Sequence, residues 1–156
     1  SPKTLLTQVE TALRNLKTDC IDLFQLHRVD PQVPLEESVG ALDMARCEGK
    51  IRFIGLSNVN QEELNKALTV ASIASVQNRY NQAEREDDTM VDYTNEKGIA
   101  YIPWGPLGAQ PMEAGAPLPA RDSLAWLLGR SSNLIVIPGT TSTSHLEENV
   151  SAWDFA

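Results

Sequence analysis

The chain has 156 residues, and its 13 Lys and Arg residues against 21 Asp and Glu residues give a formal net charge of −8. This charge argues against nucleic acid or an anionic membrane as a partner, because both bind clustered cations. No apolar run approaches the roughly 18–20 residues of a membrane span, and two cysteines do not make a disulfide scaffold. The composition predicts a single domain over residues 1–156 and a cytoplasmic location.

Helical patterns recur along the chain. Ser1 and Pro2 are typical of a helix start, and apolar residues then follow at helical spacing to Leu16. Capping and termination signals predict the remaining helices. These are expected from Leu35 to near Gly49, after the capping pair Asn60 and Glu63, from Asp87 to Gly98, from Asp122 to Gly129, and from Thr143 to Val150, where Ser144 and Glu147 indicate a cap.

Five short apolar runs between these helices are predicted to be strands. They are almost continuously apolar, as strands covered on both faces are. Strands that alternate with helices predict a parallel sheet. The runs extend from Ile21 to Leu26, Ile51 to Leu56, Ile73 to Gln77, Ile99 to Trp104 and Leu134 to Gly139.

Two parallel α/β folds fit this order of elements, an open doubly wound sheet and a piece of a (β/α) barrel. No G-x-G-x-x-G turn follows a strand, so the dinucleotide-binding doubly wound fold lacks its signature. Eight βα units need about 250 residues, with about 200 as a lower limit. We therefore expect a partial TIM barrel of about five βα units, open or completed by association. The segment from Gly108 to Ala120, rich in Gly and Pro, is predicted to be an irregular loop.

Polar residues gather where the predicted strands end. In a parallel barrel these ends open on one face, where catalytic and binding groups lie. Taken singly, a Ser-Asn pair is more often a turn, and a tryptophan at a strand end is more often core. No metal site is indicated, because the His and Cys residues lack ligand spacing. The strand-end residues are His27, Ser57, Asn58, Gln77, Asn78, Trp104, Gly105, Gly139, Thr140 and Thr141.

Five segments together resemble the C-terminal part of an aldo-keto reductase. They are DLFQLHRVD (22–30), EGKIRFIGLSN (48–58), VQNRYN (76–81), GIAYIPWGPLG (98–108) and VIPGTTSTSHLEEN (136–149). The resemblance implies a (β/α)8 oxidoreductase that moves hydride between NADPH and a carbonyl or alcohol. It also implies that the chain runs from the helix before the fourth strand to the helix after the eighth. The first three strands would then lie outside this sequence, with the family's catalytic Asp, Tyr and Lys.

The resemblance assigns a role to individual residues. His27 matches the histidine that orients the substrate carbonyl, and Trp104 matches the aromatic residue that stacks under the nicotinamide ring. The matches to the carboxamide-binding side chains are Ser57, Asn58 and Gln77. The matches to the pyrophosphate-side loop are Gly105, Pro106 and Leu107. The matches to the 2′-phosphate site are Gly139, Thr140, Thr141 and His145, and those to the adenine-side contacts are Glu148 and Asn149.

The implied cofactor is NADPH, although NADH is not excluded. Many members have a lysine at Gly139 and an arginine at His145, and a neutral histidine discriminates less well for a phosphate. Hydride transfer to a carbonyl also needs a proton donor. The tyrosines Tyr80, Tyr93 and Tyr101 do not occupy the family's tyrosine motif. We therefore expect the chain to be inactive alone and to act on a small carbonyl substrate only when completed.

Two further expectations follow from an incomplete barrel. Strand edges without partners favour pairing with another chain, so self-association through exposed strand edges is predicted. The alternative function is a non-catalytic half-barrel remnant that binds nucleotide or acts as a protein-interaction module.

Overall fold

A computed structural model of the chain describes residues 1–108 and 119–156. These residues form two compact units, residues 1–76 and residues 77–156. The first unit contains β1 (Ile21–Leu26), β2 (Ile51–Ser57) and, except for its last residue, β3 (Ile73–Gln77), which are hydrogen-bonded in chain order, and the second unit contains β4 (Ala100–Tyr101). The predicted α/β class is confirmed, and the single domain stays a prediction. Most of the predicted loop from Gly108 to Ala120 lies outside the described residues.

The helices of the first unit begin and end where local signals place them. They are α1 (Pro2–Leu16), α2 (Leu35–Cys47) and α3 (Gln61–Leu68). After α2, Gly49 has a φ of +75°, a left-handed conformation that glycine adopts without steric cost. At the start of α3 the Asn60 side chain accepts a hydrogen bond from the Glu63 amide at 2.9 Å, and Glu63 accepts one from the Asn60 amide at 2.8 Å. The predicted capping box is therefore confirmed.

The sheet of the first unit is built on the pairing of β1 with β2. The two strands are parallel, with Ile21 opposite Ile51 and Leu26 opposite Leu56. The last four residues of β2 are buried, whereas Phe53 is exposed. Val39 and Leu42 of α2 are fully buried. Burial of these aliphatic side chains is the main favourable term for this unit.

The second unit consists of helices around short extended segments. It contains α4 (Asp88–Glu96), α5 (Ala120–Arg130), α6 (Thr143–Ser151) and a 3₁₀ helix (Ala152–Phe155). Leu124 and Ala125 of α5 form a buried cluster with Ala152, and Leu107 and Val136 pack against it. None of the described helices in either unit is long and apolar enough to cross a membrane.

Three local predictions in the second unit differ from the structure. The run from Ile99 to Trp104 forms a strand only at Ala100–Tyr101, so four of the five predicted strands form. The run from Leu134 to Gly139 does not form a strand and makes a single bridge, between Leu134 and Tyr101. Because β4 has only two residues, it offers no backbone groups to pair with the rest of that run. The cap of α6 is Ser142, whose Oγ accepts from the His145 amide at 3.4 Å, because the helix begins before the predicted cap residue Ser144.

Gly55 in β2 is expected to tolerate no side chain. A Cβ there would lie 2.4 Å from Ser75 Oγ and 2.9 Å from Gln25 Cγ. We predict that Gly55→Ala lowers the free energy of unfolding by about 1–3 kcal/mol through overpacking. Urea unfolding followed by circular dichroism measures the change.

The matched control is Gly40→Ala in α2, where a Cβ would meet only Val70 Cγ1 at 4.0 Å. That variant is expected to gain about 0.5–1 kcal/mol, because alanine favours a helix interior over glycine. A Gly55→Ala protein as stable as Gly40→Ala would contradict the prediction.

Candidate functional site

In the first unit, three of the predicted site residues lie together at the ends of β1 and β2. The Asn58 side-chain amide donates to the His27 carbonyl at 3.1 Å and to Ser57 Oγ at 3.0 Å. Asn58 has a φ of +56°, a left-handed conformation that asparagine tolerates better than most residues. Ser57 is buried, whereas His27 and Asn58 are exposed. The Asn58 hydrogen bond therefore fixes the backbone of His27 at the end of β1.

In the second unit, Trp104 lies beside the segment that follows Gln77. The Trp104 amide donates to the Asn78 carbonyl at 2.9 Å, and the Tyr80 amide donates to the Trp104 carbonyl at 3.3 Å. Gln77 and Trp104 are both half-buried. Hydrogen bonds at both the amide and the carbonyl of Trp104 therefore fix the backbone position from which its ring extends.

The loop after Trp104 is a tight turn. Gly105 has a φ of +66°, and its carbonyl accepts from the Gly108 amide at 3.1 Å and from the Asn81 side-chain amide at 3.0 Å. Pro106 is buried, and Leu107 packs against the cluster of α5 and the 3₁₀ helix. A pocket of about 230 Å³ borders this loop. Predicted site residues Gly105, Pro106 and Leu107 thus belong to one anchored turn.

Two adjacent carboxylates at the start of α4 support this region. Asp87 Oδ2 accepts hydrogen bonds from Asn78 at 2.7 Å and from the Tyr101 hydroxyl at 2.5 Å. Asp88 Oδ1 accepts one from the Tyr80 hydroxyl at 2.5 Å. Burial, and then the nearby Asp87 charge, raise the pKa of Tyr101. Burial and the hydrogen bond to Asp88 raise the pKa of Tyr80. Both phenols therefore stay protonated at neutral pH and act as internal donors to carboxylates.

The start of α6 presents polar groups to solvent. Gly139, Thr140 and Thr141 are exposed, and Thr140 Oγ1 accepts from the Ser142 amide at 3.1 Å. A Cβ on Gly139 would meet no heavy atom within 4 Å, so the space above it is open. The amides of a helix N-terminus carry partial positive charge and favour an anion such as phosphate.

Asn149 of α6 carries a buried acceptor. Its Oδ1 atom is buried and has no hydrogen-bond partner among the described residues. A buried acceptor without a donor costs about 1–3 kcal/mol. His145 and Glu148 on the same helix are exposed. The exposed groups of α6 that a ligand could reach therefore include those at its N-terminus together with His145 and Glu148.

Several residues that stabilise this site were not proposed as site residues from the sequence. They are Arg79, Asn81, Glu84 and Asp87, which act through hydrogen bonds and ion pairs around Trp104 and Gly105. Asn78, which was expected at a strand end, donates to Asp87. The spacing of the other four has no helical or strand period, so periodicity could not find them. The available signal was the motif VQNRYN, which contains Arg79 and Asn81 but not Glu84 or Asp87.

Comparison with known proteins gives the family. The model of the aldo/keto reductase family matches residues 1–116. The uncharacterized oxidoreductase C215.11c of Schizosaccharomyces pombe is 37% identical over 163 residues, which cover 97% of this chain and 53% of that protein. Pyridoxine 4-dehydrogenase of Escherichia coli is 39% identical over 168 residues, which cover 97% of this chain and 59% of that enzyme. The chain belongs to the aldo/keto reductase family and spans little more than half the length of these curated relatives.

Solved structures agree with this assignment. The thermostable aldo-keto reductase Tm1743, solved with the inhibitor epalrestat, is 27% identical and superimposes with a TM-score of 0.87 over 97% of this chain and 61% of that one. An aldo-keto reductase from Klebsiella pneumoniae, solved with NADPH, is 27% identical with a TM-score of 0.80 over 94% of this chain and 57% of that one. The prediction of an α/β fold that forms part of such a barrel is confirmed.

The Asp88 carboxylate is expected to make stability depend on acid pH. Burial alone would raise its pKa, but the hydrogen bond from Tyr80 and the charges of Arg85 and Arg130 outweigh burial and lower the pKa below its ordinary 3.8. A lowered pKa gives stability that is present above the ordinary value and is lost as pH falls through the folded-state pKa. We predict that Asp88→Asn lowers the melting temperature at pH 7 and flattens its decline below about pH 4.

The control is Asp122→Asn on α5. It also removes a carboxylate charge, but one that pairs with its neighbour Arg121. Melting temperatures between pH 7 and pH 2 compare the three proteins. An acid decline in Asp88→Asn as steep as that of the wild type would contradict the assignment.

Proposed function

We propose that this chain is the cofactor-binding part of an aldo/keto reductase that uses NADPH to reduce an aldehyde or ketone. The observation that carries the proposal is the anchored Trp104–Gly105 turn. The Trp104 backbone is bonded to Asn78 and Tyr80, and the Gly105 carbonyl accepts from the Asn81 side chain. These bonds fix the backbone that carries the Trp104 ring beside the glycine turn. The order of the family motifs supports the correspondence with the region from the helix before the fourth strand to the helix after the eighth.

Within this proposal, the nicotinamide ring lies against Trp104. The cofactor, when bound, supplies the hydride. Gln77, in the same unit as Trp104, binds the cofactor's carboxamide, because a carboxamide needs both donors and acceptors to fix which ring face is presented. The family resemblance assigns the same role to Ser57 and Asn58 of the first unit. The half-buried state of Gln77 and Trp104 leaves part of each side chain open to such a ligand.

The remaining predicted residues hold the rest of the dinucleotide. Gly105, Pro106 and Leu107 form the turn along the pyrophosphate, and Glu148 with Asn149 contacts the adenine side. The open N-terminus of α6 takes the 2′-phosphate, with the residues Gly139, Thr140, Thr141 and His145. Because none of these four carries a fixed positive charge, we propose NADPH as the preferred cofactor with only modest discrimination against NADH.

His27 orients the substrate carbonyl by a hydrogen bond to its oxygen. Its exposed position beside the Ser57–Asn58 turn leaves the imidazole accessible to a small molecule. The reduced carbonyl also needs a proton, and Tyr80 and Tyr101 are committed to Asp88 and Asp87. We therefore propose that turnover requires a proton donor from outside these residues.

Fluorescence titration tests the cofactor proposal directly. NADPH is expected to quench tryptophan emission of the purified chain with saturation, and Trp104→Ala is expected to lose this quenching. Trp153→Ala is the matched control, because Trp153 is 73% exposed on the 3₁₀ helix and outside the proposed site. Absence of binding up to millimolar NADPH would overturn the proposal and favour the protein-interaction form of the alternative below.

The alternative is a non-catalytic module that binds nucleotide or another protein. The observation that favours it is a row of exposed apolar side chains on α6 and the 3₁₀ helix, formed by Leu146, Val150 and Trp153. Large exposed apolar patches mark interaction surfaces. NADPH binding without carbonyl reduction, even after the rest of the barrel is added, would support the nucleotide-binding form of this second function.

We also propose that the chain associates with itself along β1, which lies at one end of the sheet order. The Ile21 amide donates to the Lys50 carbonyl of the β2 side at 3.0 Å. Because backbone groups alternate along a strand, the next amide, that of Asp22, points away from β2. A second copy could pair with this outer edge.

Asp22→Pro is predicted to weaken such association at least about tenfold, because proline removes an edge donor while edge strands accept it. Asp22→Ala is the control, since it removes only the exposed ion pair with Arg52. Sedimentation equilibrium over a range of concentrations measures the change. A wild-type chain that stays monomeric at every concentration would contradict the proposal.

A further inference from the structure

Arg79 and Trp104 form a stacked pair in the second unit. The guanidinium carbon of Arg79 lies 5.4 Å from the centroid of the Trp104 ring. The two residues are also joined by a parallel β-bridge, so their side chains leave neighbouring backbone positions. A cation over an indole face is attracted by the negative potential of the ring. One face of Trp104 is therefore next to a positive charge.

Glu84 fixes the position of this charge. Its two carboxylate oxygens bind Arg79 Nε at 2.8 Å and Nη2 at 2.7 Å, a two-point pairing that restricts the guanidinium plane. Asn81 donates to the same carboxylate at 2.7 Å and also to the Gly105 carbonyl at 3.0 Å. The cation, its counter-ion and the backbone beside Trp104 are thus connected by one network.

We propose that Arg79 and Glu84 set the relative affinity of this site for the oxidised and the reduced nicotinamide ring. The inference rests on the proposed function, in which that ring lies against Trp104. The oxidised ring carries a positive charge and the reduced ring is neutral, so Arg79 disfavours the oxidised form and Glu84 partly offsets it. The phosphates are common to both forms, and their attraction to Arg79 cancels in the ratio of affinities.

Opposite effects of two substitutions test this proposal. The ratio of the Kd of NADP⁺ to the Kd of NADPH, measured by calorimetry, is expected to fall about three- to tenfold in Arg79→Met and to rise by a similar factor in Glu84→Gln. Methionine keeps apolar contact with the ring without the charge. The wild-type ratio is expected to approach that of Arg79→Met at high salt, because Arg79 is half-exposed and screened.

Two controls separate charge from structure. Arg79→Lys keeps the charge but not the two-point pairing, and is expected to keep the ratio within about twofold of the wild type. Arg121→Met makes the same chemical change at an arginine that lies over the Phe155 ring, at 4.5 Å, and is expected to leave the ratio unchanged. Arg79→Gln replaces Arg79→Met if the latter does not fold.

The outcomes distinguish this inference from the function on which it rests. If NADPH and NADP⁺ both bind and the ratio is unchanged in Arg79→Met, or shifts in the same direction in both variants, the inference is overturned and cofactor binding stands. If the wild-type chain binds neither form, the proposed function fails and the inference fails with it. Opposite shifts at Arg79 and Glu84 support the inference, because a purely structural role would move both variants in one direction.

Discussion

The paired carboxylates at the start of α4 are the interaction on which the second unit depends. Asp87 accepts a hydrogen bond from the Tyr101 hydroxyl, and Asp88 accepts one from the Tyr80 hydroxyl. These tyrosines are two of the largest fully buried side chains. A buried phenol without an acceptor would cost about 1–3 kcal/mol, so these side chains and the helix start must be placed together. Through Asn78, which donates to Asp87 and accepts from the Trp104 amide, the same constraint reaches the candidate cofactor site.

In each unit, one asparagine side chain forms hydrogen bonds that stabilise a loop. Asn58 joins the ends of β1 and β2 by donating to the His27 carbonyl and Ser57 Oγ. Asn81 accepts from the amides of Ala83 and Glu84 and donates to the Gly105 carbonyl. An amide side chain offers donors and an acceptor at once, and can therefore replace missing backbone partners where a strand has ended. These two residues therefore help to fix the backbone at His27 and at Gly105.

The electrostatics of the chain are local. A net charge of −8 would repel an anionic dinucleotide at long range. The features that favour such a ligand act at short distance: the N-terminus of α6, the hydroxyls beside it and the guanidinium of Arg79. Glu84 binds that guanidinium at two points, and the hydrogen bond from Asn81 helps to keep the pKa of Glu84 low. The positive charge beside Trp104 is therefore partly neutralised by Glu84.

The sequence by itself determined the elements that depend on neighbouring residues: the capping box of α3, the glycine after α2, the strands β1 to β3 and the family motifs that indicate His27 and Trp104. Tertiary structure decided what depends on distant residues. The apolar run from Leu134 forms only one bridge because β4 is short, a fact that no pattern within the run records. Likewise, Asp87 and Glu84 contribute to the candidate site through hydrogen bonds to residues that only folding brings close. A hydrogen bond depends on distance in space and not on spacing along the chain.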